Sequence, residues 1–165
     1  MALTRINNQA LTGITAAGLP SGTILQVKQA SSSTKIELQS EVFVDCLSLS
    51  ITPSATTSKF LISTFVTGYT QSANGGAIRI MRDATEILDP NNLNSSNQHY
   101  YSYHGSTSAY PTFTVSHLDT PSTTSTITYK IQMCRYGAGT GNVWFNGGGA
   151  NQGSTSSFTV MEIAG

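Results

Sequence analysis

Apolar residues recur at alternate positions through most of this chain, in runs too short for a helix to use. Thr126–Met133 is the cleanest case, with Ile127, Tyr129, Ile131 and Met133 on one side and Thr128, Lys130 and Gln132 on the other. A period of two is that of a strand with one buried face. Leu47, Leu49 and Ile51 alternate with Ser48 and Ser50 up to Pro53, but Val42 and Val44 have the opposite parity, so a bulge is expected near Asp45. Further strands are predicted over Thr23–Gln29, ended by the SSST run from Ser31, and over Ala77–Arg82 with Ile78 and Ile80. Others are predicted around Phe113 and Val115, at Val143–Phe145, and over Ser157–Ile163. Asp89-Pro90-Asn91-Asn92 opens a long polar loop.

Lys59–Tyr69 departs from one-sided alternation. Phe60, Ile62 and Val66 lie on one face, and Leu61, Phe65 and Tyr69 on the other. Such a strand is either covered on both sides within its own fold or meets a second subunit with its outer face. About eight or nine strands with no helical period predict an all-β fold, a β-sandwich or jelly roll, over residues 23–165. Residues 1–22 read as a short extended N-terminal arm. Its Leu3, Ile6, Leu11 and Ile14 are irregularly spaced and broken by Gly13, Gly18, Pro20 and Gly22. An arm of this kind either docks on a larger body or frays.

Composition sharpens this. Serine and threonine fill 45 positions while charged residues make up 10%, well under the usual ~25%. The abundance of Val, Ile, Thr, Tyr and Phe argues for pleated sheet over disorder. Net charge is zero, with eight Lys and Arg scattered singly, so the basic stripe of a nucleic-acid binder is missing. No run approaches the ~18 apolar residues of a membrane span, and residues 1–13 lack the pattern of a secretion signal, which points to folding in the cytosol of the producing cell. Cys46 and Cys134 make at most one bridge, which a reducing compartment disfavours.

Four blocks, LPSGTILQV (19–27), LSITPSATTSKFLIS (49–63), LDTPSTTSTITYKIQ (118–132) and SSFTVMEI (156–163), resemble a C-terminal module of marine bacteriophage virion proteins. The resemblance implies a trimeric jelly roll of the tumour necrosis factor and complement type, at the virion surface, assembled in the host cytoplasm. Its implied partners are copies of itself and capsid or tail proteins. Residues 1–22, through Leu3, Ile6, Leu11 and Ile14, would anchor it, and Leu61, Phe65 and Tyr69 would face the trimer interface. So short an arm departs from a long fibre shaft and suits a knob, a decoration or a fibre tip.

Chemistry-bearing patterns are sparse. His99 and His104 lie in a loop without Cys or carboxylate beside them, and paired zinc ligands are absent. There is no GxSxG elbow, no paired carboxylates of the glycosidase kind, and no Lys-Ser/Thr after the glycines near 137–149. The expectation is a non-enzymatic protein with no cofactor and no metal. Asp119 before Thr120-Pro121 reads as a turn former. Glu162 shares the parity of Phe158 and Val160, so an inward carboxylate is expected, with Arg79 or Arg82 as partner. Asn97–Phe113 carries Tyr100, Tyr101, Tyr103 and Tyr110 among Ser, Asn, Gln and His. Tyrosine joins rigid apolar area to a polar tip, so these four either recognise a receptor, such as a host surface glycan, or pack in a strand or subunit interface.

Overall fold

The alternation of β4 (Lys59–Thr70) sets the frame on which the first sheet is built. In the computed structural model, which describes residues 18–71, 73–88, 100–105, 107–136, 141–148 and 153–165, Phe60, Ile62, Thr64 and Val66 on this strand are fully buried. For residues 100, 101, 103 and 104 the description is of the backbone alone. The arm residues Leu3, Ile6, Leu11 and Ile14 lie outside the described residues, as does His99.

Eleven strands are formed among the described residues, and no α-helix. The first sheet joins β1 (Ile24–Ser32), β11 (Ser156–Ile163), β4, β10 (Val143–Phe145) and β2 (Ile36–Leu38) in that order, with β8 (Thr112–Asp119) also paired to β4. Along β4, residues 59–65 pair with β11 and 68–70 with β10, while β8 takes residues 60–67. The second sheet runs β3 (Val44–Ile51), β9 (Ile127–Tyr136), β5 (Asn74–Arg82), β6 (Thr85–Leu88), with β7 (Tyr100–His104) also on β5. All pairings are antiparallel. The two sheets pack face to face as a β-sandwich, and the inner faces supply one core containing Phe60, Ile62, Val66, Ile78, Ile80, Tyr129, Ile131, Met133, Phe145 and Phe158.

The expected bulge is present: Asp45 pairs Gln132 and Leu47 pairs Ile131, so Cys46 is the extra residue that flips the parity. Two strands were not expected from the sequence, and a third, β7, was one of two alternatives for its stretch. β2 and β6 have three and four residues, too few for a period to emerge, and β7 lies in the polar, tyrosine-rich stretch. β1 also runs on through Ser32, because Ser31 and Ser32 pair with Ser157 and Ser156. Pro20, Ser21 and Gly22, read as arm, are tied to the domain: Gly22 N donates to Ala164 O at 2.8 Å and Ser21 Oγ to the same oxygen at 3.4 Å.

Two carboxylates close one end of the core. Glu162 and Asp119 flank Phe60 in one cross-strand row, and both are buried. Glu162 points inward as expected, but neither Arg79 nor Arg82 is its partner. It accepts hydrogen bonds from Gln26 Nε2 (2.5 Å), Ser54 N (2.6 Å), Ser54 Oγ (3.0 Å) and Ser58 Oγ (2.6 Å). Neutral donors from the β3–β4 loop thus solvate the carboxylate, while Arg79 binds Glu86 instead. Asp119 is likewise no turn former. It ends β8 inside the sandwich, accepting both oxygens' bonds from Arg82 Nη1 at 2.7 and 2.9 Å and one from Tyr129 Oη at 2.7 Å.

Removing one donor from a buried charge leaves that charge partly unsatisfied. Tyr129→Phe is therefore expected to destabilise the domain by about 1–3 kcal/mol, measured by urea unfolding; a loss below ~0.5 kcal/mol would show the phenol to be dispensable. Cys46 and Cys134 are both buried free thiols, so reductant should leave the melting temperature unchanged, whereas a bridge would contribute about 2–4 kcal/mol.

Candidate functional site

The two outer faces of the sandwich differ in charge. On the second sheet Asp45, Lys130, Gln132, Arg79 and Glu86 form a connected surface network: Lys130 Nζ and Gln132 Nε2 donate to Asp45, and Arg79 donates to Gln132 and Glu86. The Gln132 and Lys130 bonds hold the Asp45 carboxyl below its usual range. Arg79 also lies over the Phe43 ring at 4.2 Å. That face is dressed for water.

The outer face of the first sheet is built otherwise, and the registers give its rows. Val27, Met161, Leu61 and Leu118 line up across four strands, β1, β11, β4 and β8. Val27 is 55% exposed and Leu118 51%, although both are large and apolar. The next row is polar: Gln29, Thr159, Ser63 and Ser116, with Gln29 Nε2 bonded to Thr159 Oγ1 at 3.1 Å and the two serine hydroxyls 3.1 Å apart. Phe65 follows, 49% exposed, among Ser31, Ser157 and Thr114. Beyond Thr67, whose hydroxyl bonds Ser154 Oγ at 2.6 Å, comes a row of rings.

That row holds Trp144 on β10, Tyr69 on β4 and Tyr110 just before β8. Tyr69 and Trp144 are register partners with ring centroids 5.3 Å apart, and Tyr69 and Tyr110 lie at 4.9 Å, both pairs tilted, a favoured aromatic geometry. The backbone holds the rings in line. Thr70 and Ala109 exchange two hydrogen bonds at 2.9 Å, and Gly68 N donates to Pro111 O at 2.9 Å, which fixes Tyr110 beside Tyr69. Gly148 lies flush against the Tyr69 ring, where any Cβ would overlap it. The turn leading there depends on Asn146 at φ 62°, whose buried amide donates to Ser32 O and Thr34 O and accepts from Ser156 Oγ; asparagine tolerates this left-handed backbone better than most residues.

The sequence-derived candidates are thus sorted. Leu61, Phe65 and Tyr69 share one outer face, as expected, with Phe65 exposed and the other two half-buried. Tyr110 joins Tyr69. Tyr100, Tyr101 and Tyr103 are separated from it: their backbones pair with Ile78, Ala77 and Gly75 in the other sheet, and their side chains lie outside the described residues. Sequence reasoning missed Trp144, Val27, Met161 and Leu118. The signal for Trp144 was its flanking position between Val143 and Phe145, which are both buried.

No group of three or more His, Cys, Asp and Glu lies together among the described residues. Burial pushes the Cys46 and Cys134 thiols up to about 12, which keeps them protonated and weakly nucleophilic at neutral pH. Tyr129 is pushed far above its usual range by burial and then by Asp119. No helix among the described residues is long and apolar enough to cross a membrane.

Glu162 supplies a pH test. Burial raises its pKa, but the donors Ser58, Gln26 and Ser54 outweigh that, and the net shift is downward from 4.5. A depressed folded-state value stabilises the fold above the unfolded value and is lost as pH falls through the folded one. Stability should therefore fall as pH drops below about 4.5, and Glu162→Gln should flatten that limb in urea titrations at stepped pH. An unchanged limb would place the acid sensitivity elsewhere.

No protein-family model matches the chain, and no curated protein matches it.

Proposed function

We propose that this protein is a non-enzymatic structural component of a bacteriophage particle. It is a homotrimeric appendage on the virion surface, as a capsid decoration, head fibre or tail-associated knob, anchored to capsid or tail proteins by residues 1–22. The observation that carries this reading is the low-charge outer face of the first sheet, with its apolar row Val27–Met161–Leu61–Leu118, exposed at both ends and half-buried between, and Phe65 two rows on. Exposed contiguous apolar surface of this kind marks an interaction site.

Magnitudes favour a closed ring. Covering what remains exposed of four such side chains contributes roughly 3–6 kcal/mol, against about 4–15 kcal/mol for each loss of free motion on association. A single contact is marginal. Three chains in a closed ring make three contacts while losing free motion only twice, and cyclic closure leaves no open-ended assembly. Strand order supports the jelly-roll reading. With β1, β3, β4, β5, β7, β8, β9 and β11 as the eight principal strands, first pairs eighth, eighth third and third sixth, while second pairs seventh, seventh fourth and fourth fifth. Two Greek keys of this kind make a jelly roll.

A second reading, a receptor-binding tip for a host surface glycan or protein, is favoured by the ring row with Tyr110 56% exposed. Light scattering on the purified protein tests the first reading: the expected mass is three times 17.5 kDa. Leu61→Glu with Leu118→Glu should yield folded monomer by placing unpaired charge in the seam. A monomer mass for the unaltered chain at micromolar concentration would falsify the trimer. Deleting residues 1–17 should leave the trimer intact and remove it from particles; particles that keep normal occupancy would move the anchor to the β domain.

A further inference from the structure

The row of rings lies at the far end of the outer face from the apolar row. Leu61 and Tyr69 are eight residues apart on one strand, at most about 26 Å at ~3.3 Å per residue. Hydroxyl-rich rows lie between them, broken only by Phe65. A seam centred on Leu61 and Leu118 therefore does not need the rings. Their immediate neighbours are of another kind. Glu37 on β2 is the register partner of Trp144, and its carboxylate accepts a bond from Asn142 Nδ2. Asn142 N in turn donates to Gln71 Oε1 at 2.7 Å. An aromatic strip thus ends in a carboxylate and two amides, with its rings held by backbone pairing and by Gly148.

Rigid π-faces beside fixed hydrogen-bonding groups fit a ligand that is apolar on its faces and polar on its edges. A pyranose has that form: its axial C–H groups stack on an aromatic ring while its equatorial hydroxyls meet carboxylate and amide groups. Charge narrows the class. The carboxylate at the rim is Glu37, the register partner of Trp144, while the Lys35 ammonium is directed to Gly148 O at 3.1 Å and the Arg135 guanidinium to Gly141 O at 3.4 Å. An acidic sugar would meet repulsion at Glu37.

We infer that Trp144, Tyr69 and Tyr110 form a binding strip for a neutral pyranose, with Glu37 and Asn142 taking its hydroxyls. This rests on the receptor-binding reading and is independent of the trimer and of particle attachment.

Trp144 is the chain's one tryptophan, so its fluorescence reports directly on the strip. The full-length protein is first applied to an array carrying both neutral and sialylated glycans. The strongest binder is then titrated in solution while Trp144 emission is followed, with light scattering on every sample. Expected are binding to at least one neutral glycan, a saturable change in Trp144 emission, and a loss of at least tenfold in affinity for Tyr110→Ala with an unchanged melting temperature. Tyr110→Phe, which keeps the ring, should stay within about threefold. Trimer mass should be the same throughout, so a failure here is separable from a failure of the assembly reading. The inference is overturned by binding to no glycan, by binding confined to sialylated glycans, by binding without a Trp144 signal, or by Tyr110→Ala binding as tightly as the unaltered chain.

Discussion

The alternation of β4 is the constraint on which the rest depends. A strand has two faces and side chains that switch between them at every residue, so Phe60, Ile62, Thr64 and Val66 commit one face to the core. Leu61, Ser63, Phe65, Thr67 and Tyr69 are thereby committed to the other. Because β11, β10 and β8 all pair with β4, its phase fixes theirs. A slip of one residue would carry Leu118 and Met161 into the core and expel Val115 and Val160. The apolar and aromatic rows of the outer face are thus consequences of the register that builds the core.

The same register explains where the few charges are used. Phe60 lies between Glu162 and Asp119 in one row, and the Tyr129 ring sits 5.9 Å from that of Phe60 while its hydroxyl bonds Asp119. The two carboxylates are met differently. Asp119 faces a guanidinium, and Glu162 faces serine and glutamine donors. Burying a carboxylate without a cation is sustainable only where several neutral donors converge. Here the β3–β4 loop does that through Ser54 and Ser58, so this loop is held by the core although it is exposed in part.

What was legible in the sequence follows from these physics. Two-residue alternation survives in one dimension, so β4, β9, the bulge beside Asp45 and the inward direction of Glu162 could all be read from the residues. Partnership does not survive in the same way. The expected pairing of Glu162 with Arg79 or Arg82 was chemically sound, but with 22 serines in the chain no spacing reveals which of them solvate a carboxylate. Asp119 was misread because Asp-Thr-Pro is a good turn former, a local preference that the Arg82 and Tyr129 contacts override. β7 was only one of two alternatives for its tyrosines, because Tyr, Ser and His alternate in no hydrophobic sense. The ring row needed three segments distant in sequence to meet, through the register of β10 and the Thr70–Ala109 bridge.

The hydroxyl-rich belt between the two ends of the outer face has a physical role of its own. Its side chains bond one another, Ser63 with Ser116, Gln29 with Thr159 and Thr67 with Ser154, so they require little from a partner. Groups already paired lose less on leaving water than unpaired ones, yet apart from Phe65 they present little apolar area to attract a contact. Such a belt neither drives association nor strongly opposes it. Attraction is left to the ends, where the aliphatic row offers non-directional burial and the rings offer oriented faces. A low-charge surface with this division can assemble with copies of itself at one end without occupying the other, and the separation is set by the length of β4.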